Sequence, residues 1–362
     1  MLSIFIDKIR KMCYNKVISF GLFYDIRIGD MTFLKKGAKC MKFCFIINPN
    51  AGKGSFLEEA KTKIKEVCDK KQVSYDMFFS QSVEDAKAYI ARTAALGEEV
   101  TFFACGGDGT ICKTVSAIMA LPEEHRERVF LGVIPMGTGN DFVSNFENKE
   151  LFFDIEAQIN GTPCAIDLFK CNDTYSINMV NVGFDSHVVC TKEKIGKKAW
   201  VPRKLAYIFS LVITLVRKPG VKMSFEADGA EGVRKELLLA TFANGAYCGG
   251  GFYSNPKASL FDAQIDCIAI KNVGRIRFLS LVGKYKKGTH LTEKLKNIVE
   301  NFKCGGAHIY LDEETPVSVD GEIIPMREIH ISVAPRALKV MLPDGVCAKG
   351  ASKDEEKVAA NV

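Results

Sequence analysis

Apolar residues in the first half of the chain come as short continuous runs, separated by stretches in which they return every three or four positions. The runs are Lys42 to Ile47, Ser74 to Phe79, Val100 to Ala104 and Val129 to Ile134, each followed by breaker residues, so each predicts a buried strand. Leu57 to Lys70, Glu84 to Ala95 and Ile111 to Met119 carry the helical spacing between them. Buried strands alternating with helices predict a mostly parallel sheet with helices on both faces. Ligands of such sheets bind outside the carboxyl ends of the strands, and breaker-rich turns beginning at Asn48, Gly106 and Pro135 fall there.

From about residue 164 the rhythm shortens. Cys164 to Lys170, Tyr175 to Val182, Val221 to Ala227, Lys235 to Ala243, Ile265 to Lys271, His308 to Leu311, Val317 to Val319 and His330 to Val333 predict antiparallel strands. Helical patterns interrupt them from Pro202 to Arg217 and from about Arg275 to Lys284. The organisation expected is an extension over 1–40, an α/β domain over 41–163, a β-rich domain over 164–334, a segment over 335–347 and a small, polar, disordered tail over 348–362.

The formal charge of +6 is unevenly spread. Residues 1–40 carry eight basic side chains against Asp7, Asp25 and Asp30, and the remainder is nearly neutral, which argues against a nucleic-acid binder. The extension's apolar stretches, such as Val17 to Tyr24, fall short of the roughly 20 residues that span a bilayer. It reads as a loose basic segment, or as the product of an upstream start codon with Met41 the working one. The 13 cysteines form no Cys-x-x-Cys pair and the five histidines are scattered, so no zinc site is expected. No secretory signal is evident, and the thiols are expected to stay reduced in a cytoplasm.

Gly106-Gly107-Asp108-Gly109-Thr110 lies where a buried strand gives way to a helix. Backbone N–H groups there can approach phosphate oxygens, the helix start adds its positive dipole end, and Asp108 can carry Mg²⁺. A tight turn with an exposed carboxylate is the plainer alternative. Asp320-Gly321-Glu322 likewise reads either as an acidic pair for proton transfer or as an ordinary Asp-Gly hairpin. The P-loop and dinucleotide glycine fingerprints are both absent.

Taken together, Asn48-Pro49 through Gly52, Gly106 to Thr110, Met136 to Phe142, Asn244 to Phe252, the acidic run to Asp266 and Val319 to Glu322 resemble the diacylglycerol kinase catalytic domain, most closely the bacterial soluble lipid kinases. The resemblance covers roughly residues 41–345. It implies a fold like that of NAD kinases and diacylglycerol kinases: an α/β nucleotide-binding domain with a parallel sheet, a β-sandwich-like second domain, and a C-terminal segment returning to the first. It implies an ATP- and Mg²⁺-dependent lipid kinase that phosphorylates a lipid hydroxyl, most simply diacylglycerol to phosphatidic acid.

Carried over by position, Asn48, Pro49, Asn50, Ala51 and Gly52 look like a first nucleotide loop, Ser80 a nearby hydroxyl, Gly106, Gly107, Gly109 and Thr110 the phosphate loop, and Thr138 the closure of the pocket. Asp108 would reach Mg²⁺ through water, Asp320 and Glu322 would contain the general base, and Asp262 and Asp266 resemble a second metal site. Two departures stand out. Cys112 and Lys113 replace the family's Asn-Glu after the loop, and Lys113 would either pair with a phosphate or alter nucleotide use; Asp262-Ala263 replaces the common Asp-Gly. Enzymatic and non-catalytic alternatives are an NAD kinase, which shares Gly-Gly-Asp-Gly, and a nucleotide or lipid sensor.

Between Lys192 and Lys222 nine basic residues face one acid, Glu193, and bracket the apolar run Leu205 to Val216. Cations and Trp200 around an apolar helix suit an anionic bilayer surface, where each nearby Lys or Arg adds about 1 kcal/mol. Burial against the β domain is the alternative. The expected partners are a lipid substrate at a membrane surface and no nucleic acid, with a homodimer left open; the expected location is cytoplasmic and peripherally membrane-associated.

Overall fold

A computed structural model describes residues 41–49, 54–196, 203–217, 220–231 and 235–349. The extension over 1–40, Asn50, Ala51 and Gly52, and the tail from 350 lie outside the described residues.

Strands Lys42–Ile47 (β1), Tyr75–Phe79 (β2), Val100–Gly106 (β3) and Val129–Pro135 (β4) pair in parallel in the order β4-β3-β1-β2. Successive residues of a strand point to opposite faces, so each buried run feeds two cores. Cys44, Ile46, Phe102, Ala104, Leu131 and Val133 enter one, closed by Val83–Ala94 (α2) and Asp108–Met119 (α3). Phe43, Phe45, Ile47, Phe103, Cys105 and Ile134 enter the other, where Gly54–Lys71 (α1) contributes Ile64 and Cys68, and Ile155–Ile159 (α4) contributes Ile155. Helix α3 starts three residues before the apolar spacing indicates. The Gly107 carbonyl accepts from the Thr110 and Ile111 N–H groups at 2.8 and 3.2 Å, which extends the helix back to Asp108 at the end of β3.

The second half is antiparallel: Thr162–Cys171 (β5), Thr174–Ser176 (β6), Met179–Gly183 (β7), Val221–Ala227 (β8), Lys235–Ala243 (β9), Ile265–Lys271 (β10), Val299–Cys304 (β11), Gly306–Val319 (β12) and Glu322–Leu342 (β13). Its core includes Phe169, Val182, Met223, Phe242, Ile309 and Val317. Three helices accompany it, Phe184–Gly196 (α5), Arg203–Arg217 (α6) and Arg275–Lys286 (α7). The sequence pattern misses α5, because among its described side chains the apolar ones that enter the core are few, Phe184 and Val188.

Strand β13 joins the halves. The pattern separates a strand ending at Val333 from a segment starting at 335, but the structure runs one strand through both, with a bulge between Ala334 and Leu338. Arg336 is left-handed there (φ 50°), and its N–H is taken by Asp167 Oδ1 at 2.8 Å rather than by a strand. Below the bulge Val340 pairs in parallel with Leu131 of β4. At the expected start of the tail, Ala348 is instead paired with Phe146, and the Lys349 N–H reaches the Asn145 carbonyl at 2.9 Å.

Candidate active site

Loops after β1, β2 and β3 meet at one end of the parallel sheet. Asn48 N–H donates to the Cys105 carbonyl at 3.2 Å and its side-chain amide to Thr110 Oγ1 at 3.3 Å. Ser80 Oγ donates to the Ile47 carbonyl at 3.4 Å, which places the hydroxyl beside the end of β1. Pro49 follows Asn48 on the exposed side.

The loop after β4 packs onto the phosphate-loop candidate backbone to backbone. A Cβ on Gly137 would lie 2.6 Å from Gly107 Cα, so only glycine at this crossing lets the two turns touch. Asn140, left-handed at φ 54°, shapes the turn by accepting from the Gly137 N–H at 3.0 Å and donating to its carbonyl at 3.2 Å. Thr138 stands exposed between them. Asp108 Oδ1 accepts from the Asp141 and Phe142 N–H groups at 2.8 and 3.3 Å. Its Oδ2 faces Gly139, where a Cβ would intrude to 2.9 Å. The carboxylate oxygen that takes neither of these N–H groups fits a water-bridged Mg²⁺.

Asp320 and Gly321, both at positive φ (47° and 90°), form a two-residue hairpin turn between β12 and β13, with Val319 opposite Glu322. The hairpin reading of this motif therefore describes its backbone. The two acids differ sharply. Asp320 accepts from Ser176 Oγ at 2.8 Å and from the N–H groups of Ile177, Asn178 and Met179 at 2.8, 3.0 and 2.9 Å. Burial pushes its carboxyl above the usual range, and these donors pull it back. Glu322 is half-exposed, and a Cβ on Gly109 would lie 3.3 Å from its Oε1, so it stands over the first turn of α3. Lys113 Nζ lies 3.3 Å from the same oxygen. Cys112 turns inward, and burial raises its thiol far above the ordinary value.

At the expected second cation site both acids have protein partners. Lys303 forms an ion pair with Asp262 Oδ2 and is the cross-strand partner of Asp266. The amides of Asn255 and Asn301 reach Asp266 at 2.9 and 3.3 Å, and burial raises its carboxyl. Asp262 and Asp266 thus have the partners a metal would replace.

Sequence reasoning missed the joint between the halves. Gly249, Gly250 and Gly251 all take positive φ (60°, 81° and 101°), and Asp141 receives the N–H groups of Gly250 at 2.9 Å and Gly251 at 2.8 Å. Asn145 accepts from the Ala246 N–H at 2.7 Å and donates to Asn178 Oδ1 at 3.2 Å. An asparagine between apolar residues, as at Asn178, is the available signal.

Among the described side chains of helix α6, hydroxyls turn inward and several apolar groups outward, while Leu215 packs against the core. Ser210 and Thr214 are buried, Thr214 Oγ1 meeting Thr191 Oγ1 of α5 at 3.5 Å, while Phe209, Val212 and Val216 are 47%, 48% and 65% exposed. Arg275 Nη2 donates to the Val216 carbonyl at 2.8 Å and brings the start of α7 alongside, where Ile276 and Leu279 are 87% and 55% exposed. Among the described residues no helix is long and apolar enough to cross a membrane.

An α/β half whose strand ends and glycine loops face the hairpin of a β half is the architecture of a two-domain phosphotransferase. Residues 42–171 match the diacylglycerol kinase catalytic domain, and residues 178–342 the YegS C-terminal NAD kinase beta sandwich-like domain. A probable lipid kinase YegS-like of Yersinia enterocolitica is 30% identical over 273 residues, 72% of this chain and 84% of the relative. A diacylglycerol kinase of Mycobacterium tuberculosis is 25% identical over 317 residues, covering 83% of this chain and 95% of its own. The crystal structure of a diacylglycerol kinase from Bacillus anthracis superposes with a TM-score of 0.63 at 21% identity over 84% of this chain and 98% of that one, a likeness of fold. The chain belongs to the diacylglycerol kinase catalytic-domain family, of the YegS-like lipid kinase type.

Proposed function

We propose that this lipid kinase transfers the γ-phosphoryl group of ATP to the hydroxyl of diacylglycerol, giving phosphatidic acid. The observation that carries the reading is the convergence of Glu322 on the first turn of α3, beside Gly109 and across from the Gly107–Gly137 crossing. The first-turn N–H groups of α3, at the positive end of its dipole, hold the phosphates. Asn48, Ser80 and Thr138 border the nucleotide. Mg²⁺, held through water by Asp108 Oδ2, would neutralise charge on the phosphates. As the acceptor oxygen bonds to the γ-phosphorus and the bond to the ADP oxygen breaks, Glu322 takes the hydroxyl proton. Asp320 has its oxygens committed to four donors and serves to hold the hairpin. On this reading 41–163 is the nucleotide domain and 164–334 the lipid domain.

The acceptor is bilayer-borne, and α6 supports a docking face for it. A helix that buries hydroxyls and exposes Phe209, Val212 and Val216, flanked by Arg217 and Arg275, suits an anionic lipid surface. Incubating the purified chain with labelled ATP and either diacylglycerol mixed micelles or NAD tests the assignment. Labelled phosphatidic acid is expected; phosphorylated NAD with no lipid product overturns it.

A second reading, a nucleotide or lipid sensor, has one observation behind it: Lys113 ties up the oxygen of the proposed base. A chain that binds ATP yet turns over no lipid, before or after Lys113→Glu, would favour it. On the kinase reading the Lys113–Glu322 pair opens when phosphate arrives, because the triphosphate outcompetes a single half-exposed carboxylate for the ammonium.

A further inference from the structure

Two of the histidines that look scattered in the sequence are neighbours in the fold. His308 of β12 stands directly opposite His330 of β13, and Glu328 stands opposite Tyr310, two residues along the same ladder. Period-two geometry puts all four side chains on one face of the sheet. His308 Nε2 and His330 Nε2 both point at Glu328 Oε1, at 2.7 and 3.3 Å, and the two rings lie 3.5 Å apart between centroids. Among the described residues this is the group of three whose ligand atoms all fall within 4.8 Å of one another.

From this juxtaposition we propose that His308, Glu328 and His330 bind a divalent transition metal of the zinc type. A tetrahedral ion about 2.0 Å from its nitrogen and oxygen ligands sets them about 3.3 Å apart. The Glu328–His330 separation of 3.3 Å already has that value, and the 2.7 Å hydrogen bond from His308 has only to lengthen. In the metal-free form both Nε2 atoms face the carboxylate oxygen; a divalent ion would sit among the three and displace any proton between them. His308 Nδ1 contacts the Tyr310 hydroxyl at 2.8 Å, the outer hydrogen bond that fixes the ring and directs Nε2 at the ion. Glu328 and His330 are more than half exposed, which opens the fourth position to water.

Two imidazoles and one carboxylate select zinc, nickel or copper over magnesium. The site is therefore separate in chemistry from the Mg²⁺ expected beside Asp108. It also has a mechanical sense: β12 and β13 are the two arms of the hairpin whose turn carries Asp320 and Glu322. An ion bridging His308 to His330 pins the arms of that hairpin.

The test is a zinc titration of the EDTA-stripped full chain against a chromophoric chelator, run in parallel on His330→Ala, Glu328→Gln and the His308→Ala/His330→Ala double variant. One equivalent is expected in the unsubstituted chain, weakened about tenfold or more by each single change, retained in millimolar Mg²⁺, and weakened by Tyr310→Phe to a smaller degree within the roughly 10- to 100-fold range of outer-shell partners. Unfolding temperatures measured in EDTA identify any variant that fails to fold, and Glu328→Gln keeps the size of the side chain. Zinc bound equally by the double variant, as a buried-thiol site would give, overturns the proposal; so does an unsubstituted chain that takes up no equivalent. Neither outcome touches the kinase reading, which needs no zinc.

Discussion

The mouth of the phosphate loop and the seam between the two halves both hold carboxylates, yet the two sets live in opposite surroundings. In the seam, Asp320 takes four donors, Asp141 grips the glycine turn at Gly250 and Gly251, and Asp167 fixes the bulge at Arg336. At the mouth, Glu322 meets one lysine, and Asp108 takes two N–H groups on Oδ1 while its Oδ2 lies against Gly139. A carboxylate whose oxygens already accept N–H groups holds a backbone in place. One left half in water can exchange a proton or a cation. The lesson is that two acids of one hairpin turn, Asp320 with four donors and Glu322 with a single lysine, are told apart by their surroundings and not by their place in the Asp-Gly-Glu triplet.

The strongest way to break this contrast is Glu322→Gln. It is expected to lower kcat by about 10²- to 10⁴-fold, the range of a general base, with the unfolding temperature unchanged. Lipid phosphorylation and a thermal melt measure both; near-normal turnover would put Glu322 back among the bystanders. Asp320→Asn should do the reverse. Its new amide N–H₂ faces backbone donors, and about 2–4 kcal/mol of stability should be lost in denaturant unfolding, from one or two charge-assisted hydrogen bonds. A stable variant that has lost only activity would make Asp320 the chemical acid instead.

Asp185 sharpens the contrast from a third side. It lies at the start of α5 with the Tyr285 hydroxyl as a donor at 3.3 Å, and burial raises its carboxyl to about 6. The folded state therefore prefers the neutral acid, and its contribution to stability is lost as pH rises through about 6. Asp185→Asn should be more stable than the parent at pH 8, by up to about 3 kcal/mol, and level with it near pH 4. Equal stability at both pH values would show that the acid is solvated. The smallest effect is expected for Lys113→Met. Breaking a half-exposed ion pair costs less than about 1 kcal/mol of stability, while KM for ATP should rise severalfold as a phosphate partner is lost. A fall in KM would mean that Lys113 only masks the base.

The parallel half was legible because its strands are buried on both sides and its turns are glycine-rich. Short apolar runs such as Val100 to Ala104 and Val129 to Ile134 leave no other assignment once helices separate them. The same logic failed where one strand changes surroundings along its length. At Pro335 and Arg336 the pattern breaks, yet Asp167 supplies the missing hydrogen bond from 169 positions away and the strand goes on. The site was legible as a set of loops. The roles within it were not, because Lys303 on Asp262, Asp141 on Gly250 and Lys113 on Glu322 are all contacts between distant segments. His308 and His330 were missed for the same reason, their ladder position being a property of the hairpin register.

Strand β13 has a consequence for how the molecule comes apart. It bonds to β12 and β5 above the bulge, and below it to β5 and β4, so a single backbone contributes hydrogen bonds to both halves. A free hinge needs a place where few bonds cross, and here a ladder crosses instead. Unfolding should then be one cooperative event that reports on both halves at once, and a cut near residue 335 should leave two fragments that recover their fold only when mixed. Any closing motion around a nucleotide would have to twist the shared sheet, because the bulge at Arg336, held by Asp167, interrupts the ladder without freeing the strand.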